Sequence, residues 1–150
     1  MSKVYKCNKM GSFEQFNWKG KQILIVEDDK PSSILLTALL SRTGVKLYFA
    51  TNGQQAVDIV KTNNSIDLIL MDIKLEGMNG IQASTIIHEH NPNIPIIAQT
   101  ACVMTGDREN CMAAGCVAYV SKPIDAYELL QIIDKYINGV KIKSAAETIP

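Results

Sequence analysis

The chain has 150 residues, 47% of them hydrophobic and 20% charged, enough for one domain with a sizeable core. Lys plus Arg equals Asp plus Glu, so the net charge is zero, which supports neither a basic field for nucleic acid nor an acidic tail. No apolar run approaches the roughly 18 residues of a membrane span, and the opening MSKVYKCNKMGSFEQFNWKG lacks the apolar region of a signal peptide.

Residues 1–20 carry the aromatic residues Phe13, Phe16 and Trp18 without a clear period, and read as an N-terminal extension or linker. QILIV (22–26) is the first predicted strand. A helix follows from Pro31, which suits a first turn, with Ile34, Leu35, Ala38 and Leu39 on one face and Gly44 as its stop. KLYFA (46–50) is the second strand, and Asn52 caps a helix bearing Ala56, Val57 and Val60. IDLILM (66–71) is the third strand. Asn79 caps a third helix with Ala83, Ile86 and Ile87, which must end before Pro92. PIIAQ (95–99) is the fourth strand, followed by a weaker helix from about Thr105 to Ala114 with Gly115 as its C′ residue. VAYV (117–120) is the fifth. The last helix opens on Asp125, three residues before Glu128 in a capping-box pattern, and carries the stripe Leu129, Leu130, Ile133 and Ile137. The domain is expected to span 21–139, leaving 140–150 as a C-terminal tail. Strand–helix alternation, with strands that are apolar on both faces, implies an α/β fold. Its parallel sheet is covered by helices on both sides.

The four cysteines, Cys7, Cys102, Cys111 and Cys116, form no CxxC pair and read as reduced thiols of a cytoplasmic protein, three of them packing as small apolar residues. His88 and His90, late in the third helix, read as surface residues.

In such sheets ligands bind beyond the carboxyl ends of the strands. Glu27, Asp28 and Asp29 follow the first strand, Asp72 the third, Thr100 the fourth and Lys122 the fifth. Thr51 and Asn52, after the second, read as helix-cap chemistry, and GMNG (77–80) as a turn. Asp29 alone is best read as the cap of the helix beginning at Pro31. If the first and third strands are neighbours, Glu27, Asp28 and Asp72 converge into a cluster of oxygen ligands suited to a hard divalent cation, Mg²⁺ above all. Lys122 offers a point charge and Thr100 a hydroxyl, both suited to phosphoryl oxygens. A carboxylate can itself be the nucleophile, giving an aspartyl phosphate.

At these residues the chain resembles the receiver domain of two-component response regulators. The likeness lies in ILIVEDD (23–29), DLILMDIKLEGMNG (67–80), PIIAQTA (95–101) and AGCVAYVSKPI (114–124). It implies a flavodoxin-like, five-stranded sheet in the order 2-1-3-4-5. It also implies that Asp72 is the phosphoacceptor and Asp28 a direct Mg²⁺ ligand. Glu27 would stand near the metal's outer shell, and the backbone carbonyl of Lys74 would be a third protein ligand. Thr100 is then the switch hydroxyl, Lys122 the phosphoryl-contacting lysine and Tyr119 the aromatic that moves with the switch. The Lys122–Pro123 bond is expected to be cis. The loop KLEGMNG departs from the family's usual Met-Pro and Asp-Gly, and Lys74, near the acceptor, is placed to alter reaction rates. WKGKQILIVEDD and TGDRENCMAAGCVAYVSKPI further resemble receivers of hybrid sensor histidine kinases.

The implied function is a signalling switch of a phosphorelay, rather than an enzyme acting on other substrates. Its partners would be a histidine kinase or histidine phosphotransfer protein, and an output partner on the face of the fourth helix, fifth strand and fifth helix. No direct contact with nucleic acid or membrane is expected, since 140–150 is too short for a helix-turn-helix module. Two alternatives stay open. One is a phosphatase of haloacid-dehalogenase type, whose DxD nucleophile after the first strand Glu27-Asp28-Asp29 does not match. The other is a scaffold that keeps the fold but takes up no phosphate.

Overall fold

Five parallel strands form one sheet: β1 (Gln22–Val26), β2 (Lys46–Ala50), β3 (Leu68–Asp72), β4 (Ile96–Thr100) and β5 (Ala118–Ser121). Their order is β2-β1-β3-β4-β5, the expected flavodoxin-like arrangement. The structure, a computed structural model, describes residues 15–101 and 106–138. Cys7, Phe13, Cys102, Thr105 and the expected tail 140–150 lie outside them. The helices are α1 (Lys30–Ser41), α2 (Gly53–Thr62), α3 (Gly80–His90), α4 (Asp107–Ala113) and α5 (Ala126–Ile137). None among the described residues is long and apolar enough to cross a membrane.

Side chains alternate across the sheet and supply two core layers. Leu24, Val26, Ile69, Met71, Ile96 and Ala98 pack with Ala56, Val57 and Val60 of α2 and Ala83 and Ile87 of α3. Ile23, Ile25, Leu68, Leu70, Ile97 and Val120 pack with Leu36 and Leu40 of α1 and the Leu129, Leu130, Ile133 and Ile137 stripe of α5. Every residue of β3 and β4 is buried, as their unbroken apolar runs required.

The α1 face differs from expectation. Leu36 and Leu40 are buried, whereas Ile34 and Leu35 are each 60% exposed. The run SILLTALL is apolar nearly all round, so more than one stripe fits the helical period, and packing on the sheet selects among them. The caps form as read: Asp29, Asn52 and Asp125 accept from Ser32, Gln55 and Glu128 backbone N–H groups. Asn79 and Gln82 make a reciprocal capping box. Helix α4 ends in a Schellman turn: Gly115 at φ 102° donates to Met112 and Cys116 donates to Cys111.

Two further expectations are corrected. Phe16 and Trp18, read as part of an extension or linker, pack into the core; Trp18 is fully buried, and its Nε1 donates to Asp134 Oδ1 at 2.8 Å. His88 is half-buried rather than a surface residue. Its ring lies where a Cβ on Gly115 would stand, 2.4 Å from Cγ, and its Nδ1 has no hydrogen-bond partner among the described residues. Cys111 and Cys116 are buried free thiols, and burial pushes the Cys116 thiol up to about 12, so it stays protonated.

Candidate functional site

The carboxyl ends of β1, β3, β4 and β5 lie side by side. The register pairs Val26 with Met71, Asp72 with Gln99, and Gln99 with Val120. One step beyond β1, Glu27 therefore stands beside Asp72. Glu27, Asp28 and Asp72 each offer a carboxylate oxygen, all within 4.8 Å of one another. Glu27 and Asp72 are buried and Asp28 is exposed. Asp29 is drawn away, its carboxylate held below the usual range by the hydroxyl and backbone N–H of Ser32.

Lys122 crosses the end of the sheet from β5. Its Nζ lies 3.2 Å from Glu27 Oε1 and 3.7 Å from Asp72 Oδ2. The Lys122–Pro123 peptide is cis, and the Lys122 N–H donates to Thr100 O at 2.7 Å. Burial is the largest influence on both buried acids. It lifts the Glu27 carboxyl from 4.5 to about 7, with Asp72 adding to the rise and Lys122 opposing it. Asp72 is also raised by burial, against the pull of Lys122 and of the Lys74 N–H, which donates to Asp72 Oδ1 at 3.2 Å.

With all three carboxylates ionised, one ammonium leaves an excess of two negative charges in a partly buried site, a state that burial opposes by raising both buried acids. All the side-chain donors of the cluster are hard oxygens, and Asp28 opens onto a groove lined by Lys74, Glu76 and Asn79. That donor set fits a divalent cation of the Mg²⁺ type, which keeps waters and uses few carboxylates. Lys74 stands two residues past Asp72, so its backbone runs along the same opening. Thr100 is buried at the end of β4, on the sheet face of Ala98. Tyr119, the cross-strand partner of Ala98, is half-buried against the α2–α3 core layer.

Sequence reasoning passed over one residue. Gln99 is completely buried, and neither Oε1 nor Nε2 has a hydrogen-bond partner among the described residues. Each unsatisfied buried group costs about 1–3 kcal/mol. The available signal was a lone amide inside an otherwise apolar strand, one residue before Thr100.

Residues 23–134 match the family of response regulator receiver domains, and the chain belongs to that family. It is 34% identical over 119 residues to the polar-differentiation response regulator DivK of Brucella anthropi, covering 78% of this chain and 96% of DivK. It is 36% identical over 120 residues to hybrid signal transduction histidine kinase G of Dictyostelium discoideum. That match takes in 77% of this chain but only 4% of the kinase, so the chain spans a small part of that relative. The receiver domain of a sensor histidine kinase from Pseudomonas aeruginosa, solved with magnesium in its active-site cleft, superposes with a TM-score of 0.74 at 35% identity. The superposition covers 80% of this chain and 99% of that domain. A CheY-like receiver from Methanospirillum hungatei gives 0.75 at 26% identity, over 79% and 94%. The chain is thus a receiver domain of two-component signalling, a class of domain that generally acts as a switch.

Proposed function

We propose that Asp72 accepts a phosphoryl group from a phosphohistidine on a histidine kinase or histidine phosphotransfer protein, and that this sets the domain's signalling state. The observation that carries the reading is the meeting of Glu27, Asp28 and Asp72 opposite Lys122 at one edge of the sheet. In the transfer, the phosphorus–nitrogen bond breaks as a carboxylate oxygen of Asp72 bonds to phosphorus, and the imidazole leaves with the electron pair. A water later attacks phosphorus, the acyl oxygen departs, and inorganic phosphate and the Asp72 carboxylate are restored.

Asp28, Asp72 and the Lys74 carbonyl would hold Mg²⁺, with Glu27 near its outer shell. Bound there, the cation would offset charge on the phosphoryl oxygens. Lys122 turns its ammonium from Glu27 toward the same oxygens, a short move given its 3.7 Å separation from Asp72 Oδ2. The Thr100 hydroxyl offers a further donor from β4. Tyr119 and the α4–β5–α5 surface carry the change to an output partner as a population shift between two states. The same reading makes the domain cytoplasmic and its chemistry confined to Asp72. The dehalogenase alternative is not favoured, because residues 23–134 match the receiver family and Glu27-Asp28-Asp29 after β1 is not a DxD motif.

The test is uptake from acetyl phosphate, followed by intact mass. The wild-type chain is expected to gain one phosphoryl group only when Mg²⁺ is present. Asp72→Asn should remain folded and gain none. Uptake by that variant at the wild-type rate would overturn the assignment.

A further inference from the structure

Gln99 is the β4 partner of Asp72 in the sheet register, and its side chain starts toward the same side of the sheet as the acids. Ile25, Leu70, Ile97 and Val120 all face the α1–α5 layer. Two residues further along each strand stand Glu27, Asp72, Gln99 and Lys122, and strand alternation starts each of them toward that side. Gln99 is the register partner of Asp72 on one flank and of Val120 on the other. Lys122, rooted beyond β5, reaches Glu27 beyond β1. In the strand order β1-β3-β4-β5 its stem must therefore pass over the end of β4, where Gln99 sits.

The Lys122 ammonium has three N–H donors. It gives two contacts to the Glu27 carboxylate, at 3.2 and 3.3 Å, and stands 3.7 Å from Asp72. Gln99 holds a fully buried amide oxygen with no donor among the described residues. A leucine of similar size would fill the same space without an orphaned amide. What the amide adds is a neutral acceptor and donor on the side of the sheet that the lysine stem crosses.

We propose that Gln99 is a positioning residue for phosphoryl transfer: its amide oxygen takes an N–H of Lys122 when the ammonium leaves Glu27 for the phosphoryl group on Asp72. The amide then holds the lysine at the β3–β4 end of the site, and its Nε2 is free to donate toward the acids. This rests on the reading of Asp72 as phosphoacceptor, and adds to it how Lys122 is held once it moves.

The experiment measures acetyl-phosphate uptake and phosphoryl lifetime for the wild type, Gln99→Leu, Lys122→Met and the double variant, with Mg²⁺ affinity by calorimetry and stability by urea unfolding. Gln99→Leu is expected to be as stable as the wild type or more so, since it removes a buried unpaired amide. Mg²⁺ affinity should be unchanged. The rate at saturating donor should fall about ten- to a hundredfold, the worth of one hydrogen bond to a charged group. In the Lys122→Met background the same substitution should have no further effect, because the effects of groups acting together do not add. Equal slowing in both backgrounds, or a wild-type rate in Gln99→Leu, overturns the proposal. Gln99→Met repeats the test should the leucine variant fail to fold. A wild-type chain that takes up no phosphoryl group would sink the phosphoacceptor reading itself, a result separate from either outcome at Gln99.

Discussion

Glu27 holds a carboxyl that the folded chain keeps protonated to a higher pH than the unfolded chain does. Its value rises from 4.5 to about 7, chiefly through burial. Between those limits the unfolded state has released its proton and the folded state has not. Stability therefore falls as pH rises through that window. Below about pH 4.5 the Glu27 contribution vanishes, because both states are protonated. A cation bound to the acid cluster competes with that proton. Free Mg²⁺ at a hundredfold excess over its Kd adds about 2.7 kcal/mol. The gain in urea midpoint on adding Mg²⁺ should thus be larger at pH 7.5 than at pH 5. Glu27→Gln should flatten the metal-free pH profile between about 4.5 and about 7. A profile equally steep in that variant would remove Glu27 as its cause.

The first turn of α3 presses on the end of β3 where Asp72 sits. A Cβ on Gly80 would stand 2.2 Å from the Asp72 carbonyl oxygen and 2.7 Å from Ile73 Cα. Both are backbone, so neither can rotate aside. Gly80→Ala should cost about 1–3 kcal/mol in urea unfolding and weaken Mg²⁺ binding, because strand and helix must part at Asp72. Gly77→Ala is the comparison. Its φ of +72° brings backbone strain, but a Cβ there meets nothing within 4 Å. Equal Mg²⁺ affinity in the two variants would refute the argument. The sequence read GMNG only as a turn, since a close approach between distant segments has no local signature. For the same reason it placed His88 at the surface, although its ring lies on Gly115. The strands themselves were legible as apolar runs, yet β3, β4 and β5 each end one residue beyond the apolar stretch, at Asp72, Thr100 and Ser121. Backbone ladders are indifferent to side-chain polarity: Ile73 still donates to Gln99 and Lys122 to Thr100. Two of those three end residues, Asp72 and Thr100, belong to the site. The acids, Thr100 and Lys122 were readable because they recur just past successive strands. Gln99 was not, because its importance comes from a missing partner.

At the scale of the molecule, the sheet is enclosed between an α2–α3 layer and an α1–α5 layer, and the second is completed by the chain before β1. Phe16 and Trp18 join the α1–α5 cluster, their rings 5.9 Å apart, and Phe16 lies 6.0 Å from Tyr127 at the start of α5. The Trp18 N–H donates to Thr43 O at 2.8 Å, tying this segment to the turn before β2. With Trp18 Nε1 bonded to Asp134, the segment bridges that turn and α5. A domain boundary placed at residue 21 would leave these residues out of a core to which they contribute a fully buried indole. Trp18→Ala should therefore cost about 3–5 kcal/mol, a large share of the roughly 5–15 kcal/mol available to a domain. Trp18→Phe keeps most of the apolar area but leaves Asp134 without the indole donor, and should cost less. Trp18 is the sole tryptophan, so its fluorescence reports on this layer alone. If the segment is integral to the domain, fluorescence and far-UV circular dichroism will follow one urea transition with one midpoint. A fluorescence change that precedes loss of helix would mean that residues 16–18 undock separately. Phe16→Ala, which keeps the indole as reporter, should then shift the earlier transition and leave the later one in place.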